Sequence, residues 1–175
     1  MKYAHVMLDL ETLSLRSNAL ILSAGFYRFS SNAELEIEDK LEVIFSAPRQ
    51  RWLLNRHVDK STIKWWKNQQ QEARVVIQAS MGSLKPVKAS LDVIDHWFNQ
   101  HEKEGVKTIV WGNGAKFDNA VLSSLYENVG RKVPWSYKAD MCYRTIRALR
   151  KQCIDWDAFN QKINVFTFFY IFYLL

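Results

Sequence analysis

The chain has 175 residues, 48% of them hydrophobic and 24% charged, with a formal net charge of +6 and a pI near 9.3. That length favours one domain around one core, and the composition excludes a disordered or fibrous chain. The positive surplus suits a polyanionic partner without requiring one. Cys142 and Cys153 form no CxxC pair, so both read as ordinary thiols of a reducing compartment. The N-terminal MKYAHVMLDL carries an acid too early for a secretory signal, and a cytoplasmic location is expected.

In chain order, YAHVMLDL (3–10) reads as a buried strand and LILSAGFYRF (20–29) as a second. LEIEDKLEVIF (35–45) alternates apolar and polar residues, the pattern of a half-exposed strand. Three strands with short connections predict an antiparallel meander. Helices follow. STIKWWKNQQQEARVVIQAS (61–80) opens on a Ser or Thr cap and is rich in helix formers. SLDVIDHWFNQHEKEG (90–105) sets Leu91, Ile94, Trp97 and Phe98 on one face and offers Gly105 as its stop. KTIVW (107–111) is a short buried strand ending at the turn Gly112-Asn113-Gly114. FDNAVLSSLYENVG (117–130) and DMCYRTIRALRKQ (140–152) are two more helices. Strands first, then helices interleaved with a strand, predict an α/β or mixed α+β domain.

Two carboxylates sit inside the first apolar run, in VMLDLETLSL. Residues two apart on a strand share a face, so Asp9 and Glu11 project together near its end. Two acids so close repel, and burial makes the repulsion worse. Either both lie at the strand mouth in water, or a hard divalent cation, Mg²⁺ or Mn²⁺, compensates them. Asp118 follows the buried strand KTIVW and its Gly-Asn-Gly turn, in the opening turn of a helix. An acid there is stabilised by the helix dipole, but strand exits are also where α/β sheets place ligands. If strand 107–111 lies beside strand 3–10, the three acids meet and could hold two ions about 4 Å apart for in-line phosphoryl displacement.

DLETL (9–13), with LILSAGFYRF after it, resembles the first motif of the DEDD exonucleases, DnaQ-like proteins of ribonuclease H-like fold. WGNGAKFDNAVLSSLYE (111–127) resembles their second motif, an N-x-x-F-D pattern. TIKWWKNQQQEAR (62–74) and PWSYKADMCYRTIRAL (134–149) are similar to the branch that holds phage exonuclease A, exodeoxyribonuclease VIII-like proteins and a mycobacterial exoribonuclease. The resemblance implies a central mixed sheet flanked by helices, its first three strands antiparallel and the next one parallel. It implies Asp9, Glu11 and Asp118 as catalytic metal ligands, and a single-stranded DNA or RNA 3′ end as substrate. Thr12, Leu13, Trp65, Trp66, Asn113, Phe117, Arg144 and Arg147 are the expected nucleic-acid contacts.

The third motif of that family, H-x-A-x-D-D-A, has no counterpart. No His follows His101, and CIDWDAFNQ around Asp155 and Asp157 does not match. The general-base His and the fourth ligand are therefore missing, which leaves a second ion poorly held. Residues 163–175, INVFTFFYIFYLL, carry no charge and are too few to span a bilayer. They read as a buried strand or docked tail, or as the abnormal end of a truncated or frameshifted chain. The expected organisation is an exonuclease-like domain over 1–162 followed by this tail.

Arg144, Arg147 and Lys151 fall on one helical face beside Arg150, a stripe that is either solvated or grips backbone phosphates. Trp65 and Trp66 point about 100° apart on a helix, so one enters the core and the other is free to stack on a base. Trp97, Trp111 and Trp135 read as core, and His96 and His101 as surface or packing residues. Three functions remain open: a metal-dependent 3′–5′ exonuclease impaired by the missing motif, an inactive remnant that binds nucleic acid or protein, and a membrane-associated product using the tail. The sequence leaves the oligomeric state open, a homodimer included.

Overall fold

The computed structural model describes residues 2–29, 37–101 and 106–150. A five-stranded sheet has the order β3-β2-β1-β4-β5. Strands β1 (Lys2–Thr12), β2 (Ile21–Phe29) and β3 (Ile37–Ile44) form the expected antiparallel meander. Strands β4 (Val106–Gly112) and β5 (Asp140–Cys142) add in parallel on the other side of β1. β1 is thus the central strand, and almost every residue of β2 is buried. Edge strand β3 keeps its alternation, with Val43 inward.

The faces of β1 divide the molecule. Val6, Leu8 and Leu10 pack with Leu91, Ile94 and Phe98 of α4 (Val87–Gln100) and with Val121, Leu122 and Leu125 of α5 (Asp118–Asn128) in the main core. Tyr126 donates to Asp95, and Arg131 pairs with Asp92 and Asp95, tying the end of α5 to α4. The opposite face carries α1 (Ala47–Leu54), α2 (Lys60–Lys67) and α3 (Gln71–Gly82), joined through Leu20, Leu22, Ala47, Trp66 and Ala73. α6 (Tyr143–Arg150) follows β5.

The single helix expected over 61–80 is two, α2 and α3. The break lies at Asn68–Gln70, where Gln70 takes the extended conformation with φ −60° and ψ 161°. No Gly or Pro marks it. Trp66 and Ala73, one from each helix, meet in the same apolar cluster. α4 begins at Val87, directly after Pro86, three residues before the expected start. β5 takes the first three residues of the segment expected to be wholly helical. Trp97 and Trp135 are core, while Trp111 is half-buried and donates to His5 Nδ1 at 3.1 Å. His96 is exposed, and His101 bridges Trp97 O and Asp39. Gly105, Lys151, Cys153, Asp155, Asp157 and the tail 163–175 lie outside the described residues.

Candidate active site

Pairing of β1 with β4 stops at Leu8 opposite Gly112, and β1 runs on through Asp9 and Glu11. A register shift against β2 falls between Glu11 and Thr12, a bulge of the kind that re-aims side chains beside sites. Past Gly112 the chain turns through Asn113 and Gly114 and enters α5 at Asp118. The backbone of Leu10, past the last β4 partner, lowers the pKa of both the Asp9 and the Asp118 carboxyl, so the two acids come near the same peptide. Gly112 makes this approach possible. A Cβ there would lie 2.3 Å from Asn119 Oδ1, 3.2 Å from Asp118 Cβ and 3.3 Å from Asp118 Oδ2. Asn119 in turn donates through Nδ2 to Val110 O and to Asp140 Oδ1, fixing the start of α5 against β4 and β5.

The three acids are 7%, 4% and 4% exposed for Asp9, Glu11 and Asp118, so water does little to screen them. Burial pushes the Asp9 carboxyl up to about 6. Burial, then the charges of Asp9 and Asp118, push Glu11 up to about 8. Burial and Asp9 push Asp118 up to about 7, against the pull of backbone N–H groups and of Arg144. Among the described residues, no three carboxylate, imidazole or thiol groups stand at metal-cluster spacing. The acids therefore share one field without closing on one point. Their donors are all carboxylate oxygens and their mutual repulsion is what a cation would relieve, so the donor chemistry, though not the spacing, suits a hard divalent ion.

They line a cavity of about 660 Å³, within the usual size of ligand sites. Thr12, Trp65, Trp66, Asn113, Phe117 and Arg144 line it as well. Trp66 is buried and donates from Nε1 to Thr12 O at 2.9 Å, so the wall is tied to the strand that carries the acids. Trp65 meets it edge to face and stays half-buried. The guanidinium of Arg144 closes over Gly114, whose φ of 137° suits glycine. Leu13 and Arg147 are not among the lining residues: Leu13 is buried beneath Trp66, and Arg147 is half-buried on α6.

Sequence reasoning missed Leu15, Ser61 and Thr62, which also line the cavity. Ser61 sits one helical turn before Trp65, so the helix register carried its signal. It also missed Arg56, fully buried on the segment after α1. Arg56 donates to Ala19 O, Ser124 Oγ, Asn128 Oδ1 and Val121 O, and so fastens the β1–β2 loop to α5.

A family model, the 3′-5′ exoribonuclease Rv2179c-like domain, matches residues 4–164. The chain belongs to the Rv2179c-like 3′-5′ exoribonuclease family. This Rv2179c-like chain is 29% identical over 131 residues to an exodeoxyribonuclease of Enterobacteria phage T4, covering 71% of this chain and 56% of the phage protein. Product-bound exonuclease I superposes with a TM-score of 0.57 at 17% identity, over 89% of this chain and 34% of that one. The zinc-bound E. coli ExoI–ssDNA complex gives a TM-score of 0.55 at 16% identity, over 89% and 32%. These likenesses establish the ribonuclease H-like exonuclease fold. The Rv2179c-like chain spans about half of the phage relative's length and about a third of exonuclease I's. Among its described residues, no helix is long and apolar enough to cross a membrane.

Proposed function

We propose that the chain removes nucleotides from the 3′ end of single-stranded nucleic acid with the help of a divalent cation. The observation that carries this reading is the meeting of Asp9, Glu11 and Asp118, from two separate strand exits, on one cavity walled by Trp65 and Trp66. Family membership agrees, and so do solved relatives whose titles name a product complex and a single-stranded DNA complex. Mg²⁺ or Mn²⁺ at the three carboxylates would supply positive charge at the attacking and leaving oxygens of the scissile phosphate. The rest falls to the chain's own groups. Trp65 offers a partly open ring for the terminal base, and stacking tolerates any sequence. Arg144, across from the acids, holds a phosphate.

No imidazole C-terminal to Asp118 is present in this sequence to take the proton of the attacking water. A general base is worth about 10²–10⁴-fold, so hydrolysis by the 175 residues is slow. A second reading, a protein that binds such ends without cutting them, is favoured by the acids' failure to close on one point among the described residues.

A 5′-labelled oligonucleotide in millimolar Mn²⁺ separates the readings. A slow ladder shortening from the 3′ end is expected, abolished by Asp118→Asn. Replacing residues 163–175 by a segment carrying His and Asp should accelerate it. A ladder from the 5′ end, or brisk cleavage indifferent to Asp118→Asn, contradicts the assignment. Binding with no cleavage in either chain favours the second reading.

A further inference from the structure

Large apolar side chains stand exposed together at one place outside the cavity. Trp52 and Leu53 of α1 are 80% and 69% exposed, and Leu84, in the connection from α3 to α4, is 73% exposed. Hydrogen bonds bring the two segments side by side. Ser46 Oγ donates to Ser83 O at 2.5 Å, and Arg49 Nε donates to Leu84 O at 2.7 Å. Leu53 stands one helical turn beyond Arg49. Arg49, Trp52 and Leu53 span about 100° of α1, whose other side is buried through Ala47 and Gln50. Trp52, Leu53 and Leu84 do not line the cavity, so the proposed hydrolysis does not use them. The charge around them has one sign. Residues 43–58 and 73–91, which carry both segments, contain no Asp or Glu. They contain Arg49, Arg51 and Lys85, and among the described residues none of these pairs with a carboxylate.

We infer that this face docks a short acidic peptide segment of another protein, one that presents two or three large apolar side chains. Contiguous exposed apolar groups with a polar rim mark interaction sites. The partner's apolar side chains cover Leu53, Leu84 and Trp52, and its carboxylates meet Arg49 and Lys85 at the rim, which steers the encounter. Charge complementarity selects this occupant over three others. A second copy of the chain in a two-fold contact would set Arg49 and Lys85 against like charge. Residues 163–175 are apolar but bring no acid to these cations. A nucleic-acid strand would find one flat ring, Trp52, between leucines that offer no stacking face. The inference is independent of the chemistry proposed for the cavity.

The test selects peptides on the full chain from a phage-displayed library of random dodecamers, then measures labelled synthetic copies by fluorescence anisotropy. The selected peptides should carry several Asp or Glu beside Leu, Phe or Trp, and added salt should weaken their binding. L53S/L84S and R49Q/K85Q should each bind them at least tenfold more weakly. What binding R49Q/K85Q keeps should be nearly indifferent to salt, which a mere shift of Leu84 would not produce. K67Q/K132Q, which removes equal charge from exposed lysines elsewhere, should bind as the parent does. Thermal melts confirm that each variant folds. Selection of no peptide, or of peptides without acids, would overturn the inference. So would undiminished affinity in L53S/L84S, or equal losses in R49Q/K85Q and K67Q/K132Q. Two further results would overturn it by naming another occupant. Oligothymidylate binding that falls tenfold in L53S/L84S would make this a nucleic-acid surface. Self-association of the parent in sedimentation, lost in L53S/L84S, would make it a contact between copies.

Discussion

At the scale of single residues, the site is a set of buried acids held above their ordinary pKa. Glu11 titrates near 8 and Asp118 near 7 in the folded chain, both far above the values of unfolded carboxyls. The native state thus keeps protons that the unfolded chain has already lost. Stability from these groups is full at acid pH and is lost as pH rises through about 7 to 8. His5, whose pKa burial lowers, acts in the opposite sense at lower pH, so the informative window is pH 6.5 to 8.5. Each pKa unit is worth about 1.4 kcal/mol, so the penalty at pH 8.5 is on the order of a few kcal/mol. Glu11→Gln should therefore melt higher than the parent at pH 8.5 in EDTA, with the gap narrowing toward pH 6.5. An equal or lower melting temperature at every pH would show that Glu11 carries no such strain. Gly112→Ala tests the other side of the site. A Cβ 2.3 Å from the buried Asn119 Oδ1 forces α5 away from β4 and should cost about 1–3 kcal/mol in urea unfolding. Unchanged stability would mean that Asn119 turns aside freely.

At the scale of elements, most of what positions the acids was legible. The apolar runs of β1, β2 and β4 and the start of α5 show in the pattern, because central strands buried on both faces leave no polar alternation. The two tryptophans divide as adjacent helical positions must, with Trp66 inside and Trp65 half-open. α1 was not legible. Its APRQRWLL shows no apolar stripe, and it holds its place through Gln50, whose amide grips both the N–H and C=O of Ile21 at 3.0 and 2.6 Å. Such a contact leaves no hydrophobic signature. β5 is three residues long and exists only because β4 offers it an edge. Arg56 is invisible for a similar reason, since a buried guanidinium looks like any surface arginine until its four acceptors are seen. Burial lowers its pKa to about 10, and every acceptor is neutral. Arg56→Met should leave those acceptors without a donor and cost about 2–4 kcal/mol, read as a lower denaturant midpoint. A loss below about 0.5 kcal/mol would mean that water replaces the guanidinium.

At the scale of the whole molecule, a parallel pair and an antiparallel pair share one central strand, and the acids stand where the parallel pair ends. β1 runs four residues past its last β4 partner, while α5 returns Asp118 to the gap. The resemblance in the sequence anticipated this convergence, but the spacing of Asp9 and Asp118 along the chain could not show it. Only the sheet order brings them together. Isothermal titration with Mn²⁺ tests most directly whether the three carboxylates act as one cation site. The parent should bind Mn²⁺, and Asp9→Asn, Glu11→Gln and Asp118→Asn should each weaken that binding by at least tenfold while remaining folded. Undiminished Mn²⁺ binding in all three variants, or none in the parent, would contradict a cation site at these acids.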